Sequence, residues 1–108
     1  MADVSFSLRA EHLLQEILAH MEDCEELDDF DMDIVDGVLT LEFDDSSQII
    51  VNRQEPLEQI WVASPLGPAH FAFDSTRDDW FDDKTGEPIY DPLEQALTTK
   101  LGKPVSLL

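Results

Sequence analysis

Eight carboxylates fall within the twelve residues EDCEELDDFDMD (22–33): Glu22, Asp23, Glu25, Glu26, Asp28, Asp29, Asp31 and Asp33, with no basic residue among them. Carboxylate oxygen is a hard ligand, suited to iron(II), iron(III), manganese and calcium. An EF-hand loop is excluded by position. Counted from Asp29, the sixth residue is Ile34 where the loop needs glycine, and the twelfth is Thr40 where it needs glutamate. From FDMDI onward the apolar residues alternate, so Phe30, Met32 and Ile34 face one way and Asp29, Asp31 and Asp33 the other. On such a strand alternate carboxylates stand about 6.5–7 Å apart, too far for three to share one tight coordination shell. The chemistry expected is an open array that holds several cations weakly, with much of their water retained. A solvated face serving solubility alone is the plainer alternative. Against it, like charges packed this closely repel one another and destabilise a compact chain. That cost is easier to understand where a cation or a basic partner is received.

Other residues invite chemistry less strongly. His12, Glu16 and His20 recur every four residues, a spacing that can bind a metal on one side of a helix. No further fixed ligand accompanies them, and exposed side chains are expected. Cys24 is the only cysteine, so no internal disulfide forms, which suits a reducing compartment. It has no Cys or His at ligand spacing and reads as a plain thiol. No nucleophile–base pattern, glycine-rich phosphate loop or enclosed carboxylate pair can be assigned, so no enzymatic activity is expected. In EQIWVAS (58–64), Ile60 and Val62 alternate with Gln59, Trp61 and Ala63. If the aliphatic pair faces the helices, Trp61 lies on the uncovered face, where an exposed tryptophan is a common interface anchor. Packing beside a strand neighbour is the alternative. Trp80, in DDWFDD, is expected to be structural.

The elements that must position these groups follow from periodicity. Phe6, Ala10, Leu13, Ile17 and Met21 recur at three- and four-residue steps, widened by Leu14 and Leu18, which predicts an amphipathic helix over about residues 5–22. Asp36-Gly37 between two alternating runs predicts a two-residue hairpin, because a type I′ turn needs positive φ at both positions. Its register puts Ile34 opposite Leu39, Met32 opposite Leu41 and Phe30 opposite Phe43. The other face then opposes Asp31 to Glu42 and Asp29 to Asp44. QIIVNR, EQIWVAS, AHFAFDS and DDWFDD read as four further strands, too closely spaced for crossover helices. DPLEQALTTKLG reads as a closing helix with Asp91 as N-cap, Pro92 at its first position, Glu94 completing a capping box and Gly102 as the stop. The expected fold is an α/β two-layer sandwich (α+β) of order α-β-β-β-β-β-β-α. Two helices cover one face of a mainly antiparallel sheet of about six strands.

Length and charge bound the function. The chain has 108 residues, 43 % of them apolar, and fits one domain spanning residues 1–108. Its net charge is -19, and the first 45 residues hold 15 acids against Arg9 alone. Such a field repels nucleic acid and anionic membrane and speeds encounter with basic proteins or metal cations. The N-terminus resembles neither a signal nor a transit peptide, and no apolar run is long enough to span a membrane, so a soluble, cytoplasmic protein is expected.

GVLTLEF, IIVNRQEPLEQIWVASPLGPAHF and DPLEQAL resemble the frataxin family, in particular its bacterial type, in the same order over nearly the whole chain. The resemblance implies a cytoplasmic accessory protein of iron-sulfur cluster assembly, with iron as Fe2+ or Fe3+ bound weakly on an acidic ridge and other divalent cations admissible. The acids that match the ridge are Glu22, Asp23, Glu25, Asp29, Asp31 and Asp33. The implied partners are the cysteine desulfurase and the scaffold, met by a sheet surface matching Asn52, Gln54, Gln59 and Trp61. Leu18 and Ala19 stand where several bacterial relatives carry acids, and Cys24 where an aromatic is frequent, leaving the helical part of the ridge poorer in ligands. A monomer is expected, with iron-driven oligomers left open. Iron storage or ferroxidase activity, and a generic acidic protein-binding module, are the rival functions.

Overall fold

The computed structural model describes residues 5–108. Helix α1 runs Phe6–Glu22, and Ser5 caps it by accepting the Leu8 amide on its hydroxyl oxygen at 3.3 Å. Its apolar stripe is its buried face: Ala10, Leu13, Leu14, Ile17 and Met21 are buried, and Phe6 and Leu18 pack against them. A 3-10 turn, Glu25–Leu27, leads into β1 Asp31–Val35, β2 Val38–Glu42, β3 Gln48–Gln54, β4 Gln59–Ser64, β5 Gly67–Asp74 and β6 Asp79–Asp82, followed by α2 Tyr90–Leu101. The six strands form one antiparallel sheet in chain order. Leu39, Leu41, Ile49, Val51, Ile60, Val62, Phe71 and Trp80 project from one face into a single core shared with both helices. The two-layer sandwich expected from the sequence is therefore the observed architecture.

The first hairpin follows the sequence closely. Asp36 and Gly37 adopt φ +52° and +76°, and the ladder pairs Val35 with Val38, Ile34 with Leu39, Met32 with Leu41 and Asp31 with Glu42. Glycine at 37 meets two demands, since a side chain there would also meet Arg53 Nε at 2.8 Å. Beyond Asp31 the expected pairing stops. The Phe30 amide donates back to the Leu27 carbonyl at 3.1 Å and the Phe43 amide to Ser47 at 2.9 Å, so Asp29 and Asp44 are not ladder partners. Phe30 and Phe43 still meet edge to face, with centroids 5.2 Å apart.

The start of α2 corrects the sequence reading. The helix begins at Tyr90, with Ile89 flanking it and no side-chain cap, so Asp91 lies in its first turn rather than at the N-cap. Tertiary packing sets this entry. Ile89 donates to the Trp80 carbonyl and Asp91 to Pro88, each at 3.0 Å, while Ile89, Tyr90 and Leu93 enter the core. Glu94 does not close a capping box. Its carboxylate accepts the Leu107 amide at 2.7 Å, holding a C-terminal segment whose Val105 and Leu107 are buried. Gly102 ends the helix as expected, with φ +70°. Tyr90 donates to Glu16 at 2.7 Å, tying the two helices, and burial followed by that carboxylate pushes the phenol well above its usual range. At the other end of α2, Lys100 donates to Asp45 and holds its carboxyl well below the usual carboxylate range.

Candidate functional site

The acidic segment is ordered because apolar anchors recur through it. Met21, Cys24 and Leu27 are buried, and Phe30, Met32 and Ile34 pack half-buried against the core, leaving the acids between them outside. Glu22 ends α1 and Asp23 flanks it; Glu25 opens the 3-10 turn, Asp29 lies in the next turn, and Asp31 and Asp33 project from β1. All six are exposed, and none forms an ion pair among the described residues. Strand β1 is an edge of the sheet, where charge discourages pairing with another chain.

Two features of this ridge oppose stability. Glu22 and Asp23 sit at the C-terminal end of α1, where the helix dipole favours cations. Asp31 stands directly opposite Glu42, a like-charge pair. Changing Asp29 and Asp31 together to Asn is thus expected to raise the melting temperature by about 2–5 °C at low salt, with the gain shrinking as salt is added. A fall of several degrees in the thermal scan would instead make these carboxylates structural.

The ridge has the chemistry of an open cation surface. Asp31, Asp33 and Glu42 border a shallow depression of ≈ 360 Å³, and among the described residues no three His, Cys, Asp or Glu side chains converge into a closed metal site. A hydrated cation would meet one or two carboxylates at a time. His12, Glu16 and His20 do not join in a site of their own: Glu16 accepts the Tyr90 hydroxyl, and His20 meets the Tyr90 ring edge-on at 5.5 Å. Cys24 is buried and donates to Glu26 at 3.2 Å. Burial pushes its thiol up and withholds the thiolate a soft metal needs.

The second surface lies on the sheet face away from the helices. Ile60 and Val62 are buried, so Gln59 and Trp61 face outward, and the ladder places Asn52 beside Trp61 and Gln54 beside Gln59. Gln54 donates to Asn52 at 3.1 Å and Trp61 Nε1 to Gln59 at 2.9 Å. Both alternatives for Trp61 hold in part, since it lies on the uncovered face and also stacks on its strand neighbour His70, centroids 4.4 Å apart. His70 and its neighbour Asp83 are absent from the sequence-derived set. Counting outward from the Pro65-Leu66 turn, where Ser64 pairs with Gly67, is the signal that puts His70 opposite Trp61.

Two helices over one face of a six-strand antiparallel sheet, with an acidic edge and a tryptophan on the open face, is the build of a frataxin-like domain. The profile of the frataxin-like domain family matches residues 1–103, and the chain belongs to the frataxin family. It is 53 % identical over 107 residues to the iron-sulfur cluster assembly protein CyaY of Thioalkalivibrio sulfidiphilus, covering 99 % of this chain and 100 % of that one. Frataxin from Psychromonas ingrahamii shares the fold with a TM-score of 0.82 at 31 % identity, over 100 % of this chain and 99 % of that one. Trimeric frataxin from the yeast Saccharomyces cerevisiae, complexed with ferrous iron, gives 0.74 at 28 % identity, over 95 % of this chain and 91 % of that one. Among the described residues no helix is long and apolar enough to cross a membrane.

Proposed function

We propose that this chain is a cytoplasmic, iron-binding accessory protein of iron-sulfur cluster assembly. Iron, as Fe2+ or Fe3+, is held weakly on the ridge of Glu22, Asp23, Glu25, Asp29, Asp31 and Asp33. The same ridge docks on a basic surface of a cysteine desulfurase, while Asn52, Gln54, Gln59 and Trp61 face the scaffold. The observation that carries this reading is the line of six exposed carboxylates, without ion pairs among the described residues, in a chain 53 % identical to a cluster assembly protein. The ferrous complex of the yeast relative supports iron as the cation. An iron store or ferroxidase would need a closed, preorganised oxidation site, which the alternating carboxylates of β1 do not build.

The test is charge reversal. With Glu22, Asp23 and Glu25 all changed to Lys, association with a bacterial desulfurase should slow at least about tenfold at low ionic strength and lose much of its salt dependence. Association as fast as the parent's would remove the ridge from the docking surface. Recovery of a basic protein other than a desulfurase in pull-downs would favour a generic acidic binding module.

A further inference from the structure

Four side chains on the open sheet face close a circuit. Trp61 Nε1 donates to Gln59 Oε1 at 2.9 Å, and Gln59 Nε2 reaches Asp83 Oδ2 at 3.5 Å. His70 Nδ1 lies 3.9 Å from the same Asp83 oxygen, and its ring stacks on the Trp61 indole at 4.4 Å with 21° between planes. The backbone holds the circuit in register, because the Asp83 amide donates to the His70 carbonyl at 3.0 Å and His70 is the ladder partner of Trp61. None of the four belongs to the buried core.

We propose that His70 and Asp83 are positioning residues that fix the Trp61 indole in its docking orientation before the partner arrives. The proposal rests on the docking reading above and adds how that surface is preorganised. An indole left free to rotate about its side-chain torsions must be ordered on binding. Here one ring face is covered by imidazole and the ring nitrogen is tied through Gln59 to Asp83, so that ordering is complete in the free protein. Asp83 acts on Trp61 through Gln59, whose amide its carboxylate accepts at 3.5 Å, while the same carboxylate faces the His70 ring nitrogen at 3.9 Å.

The test compares His70→Ala, His70→Phe and Asp83→Ala with the parent in two measurements. The first is the heteronuclear NOE of the Trp61 indole N–H in the free protein, which reads ring order without any partner. The second is affinity for a desulfurase–scaffold complex. His70→Ala should lower the indole NOE and weaken docking by about two- to twelvefold, the factor that corresponds to ordering one side chain. Asp83→Ala should move both in the same direction by less. His70→Phe should restore both, because it returns a flat ring to the stack, and melting temperatures should stay with the parent's throughout. An unchanged indole NOE in His70→Ala would overturn the proposal. So would weaker docking with the indole still ordered, which would make His70 a direct contact. If Trp61→Ala itself docks like the parent, the docking reading fails, and the NOE series still decides whether His70 and Asp83 order the ring.

Discussion

Trp80→Ala should destabilise the fold by about 3–5 kcal/mol, the usual cost of truncating a buried aromatic ring. Trp80 is 4 % exposed and holds the edges of two other rings, Phe6 from α1 at 6.0 Å and Phe73 from β5 at 5.4 Å. It therefore joins the first helix to the far end of the sheet. For a chain of this size such a loss lowers the melting temperature by more than about 10 °C, readable in a urea titration or a thermal scan. A loss below about 1 kcal/mol would mean that the site collapses around the missing ring and that Trp80 contributes little to the core.

The other tryptophan should show the opposite pattern. Trp61→Ala is expected to leave the melting temperature within a few degrees of the parent, because Trp61 stands on the uncovered face, outside the core that the helices cover. Docking on the desulfurase–scaffold complex should weaken by about 2 kcal/mol or more, roughly thirtyfold, as for an aromatic hot spot. An unfolded variant would assign the ring to the core, and parental affinity would remove it from the interface. Measured side by side, the two variants separate stability from binding in one small protein.

Much of this was legible in the sequence where short-range rules decide. The first hairpin is fixed by a turn that needs positive φ at Asp36 and Gly37 and by an alternation that would expose its apolar face if it slipped one residue. The stripe of α1 and the stop at Gly102 are similarly local. The misreadings arose where a tertiary contact outranked a local signal. DPLE carries the letters of a capping box, but burial of Ile89 and Leu93 and the hydrogen bonds to Trp80 and Pro88 start α2 earlier, and Glu94 is drawn to the C-terminal segment instead. Asp29 and Asp44 extend the alternation on paper, yet Phe30 and Phe43 spend their amides on turns. The ridge acids were legible as a group because charge is visible residue by residue. The partners of Trp61 were not, because His70 and Asp83 reach it only through the pairing of β4 with β5 and the turn that follows β6.

The ridge is tested most directly by titrating iron(II) anaerobically into the uniformly labelled chain while following backbone amides. Perturbation should begin at low occupancy and be confined to residues 18–36, spanning the end of α1, the 3-10 turn and β1, with weak, non-saturating binding and no change in α2. Manganese should perturb the same amides, as expected for hard ligands in an open array. A single saturating site elsewhere, for instance at His70, or perturbation of residues 90–101 with the ridge amides silent, would show that the acidic edge is not where this protein receives iron.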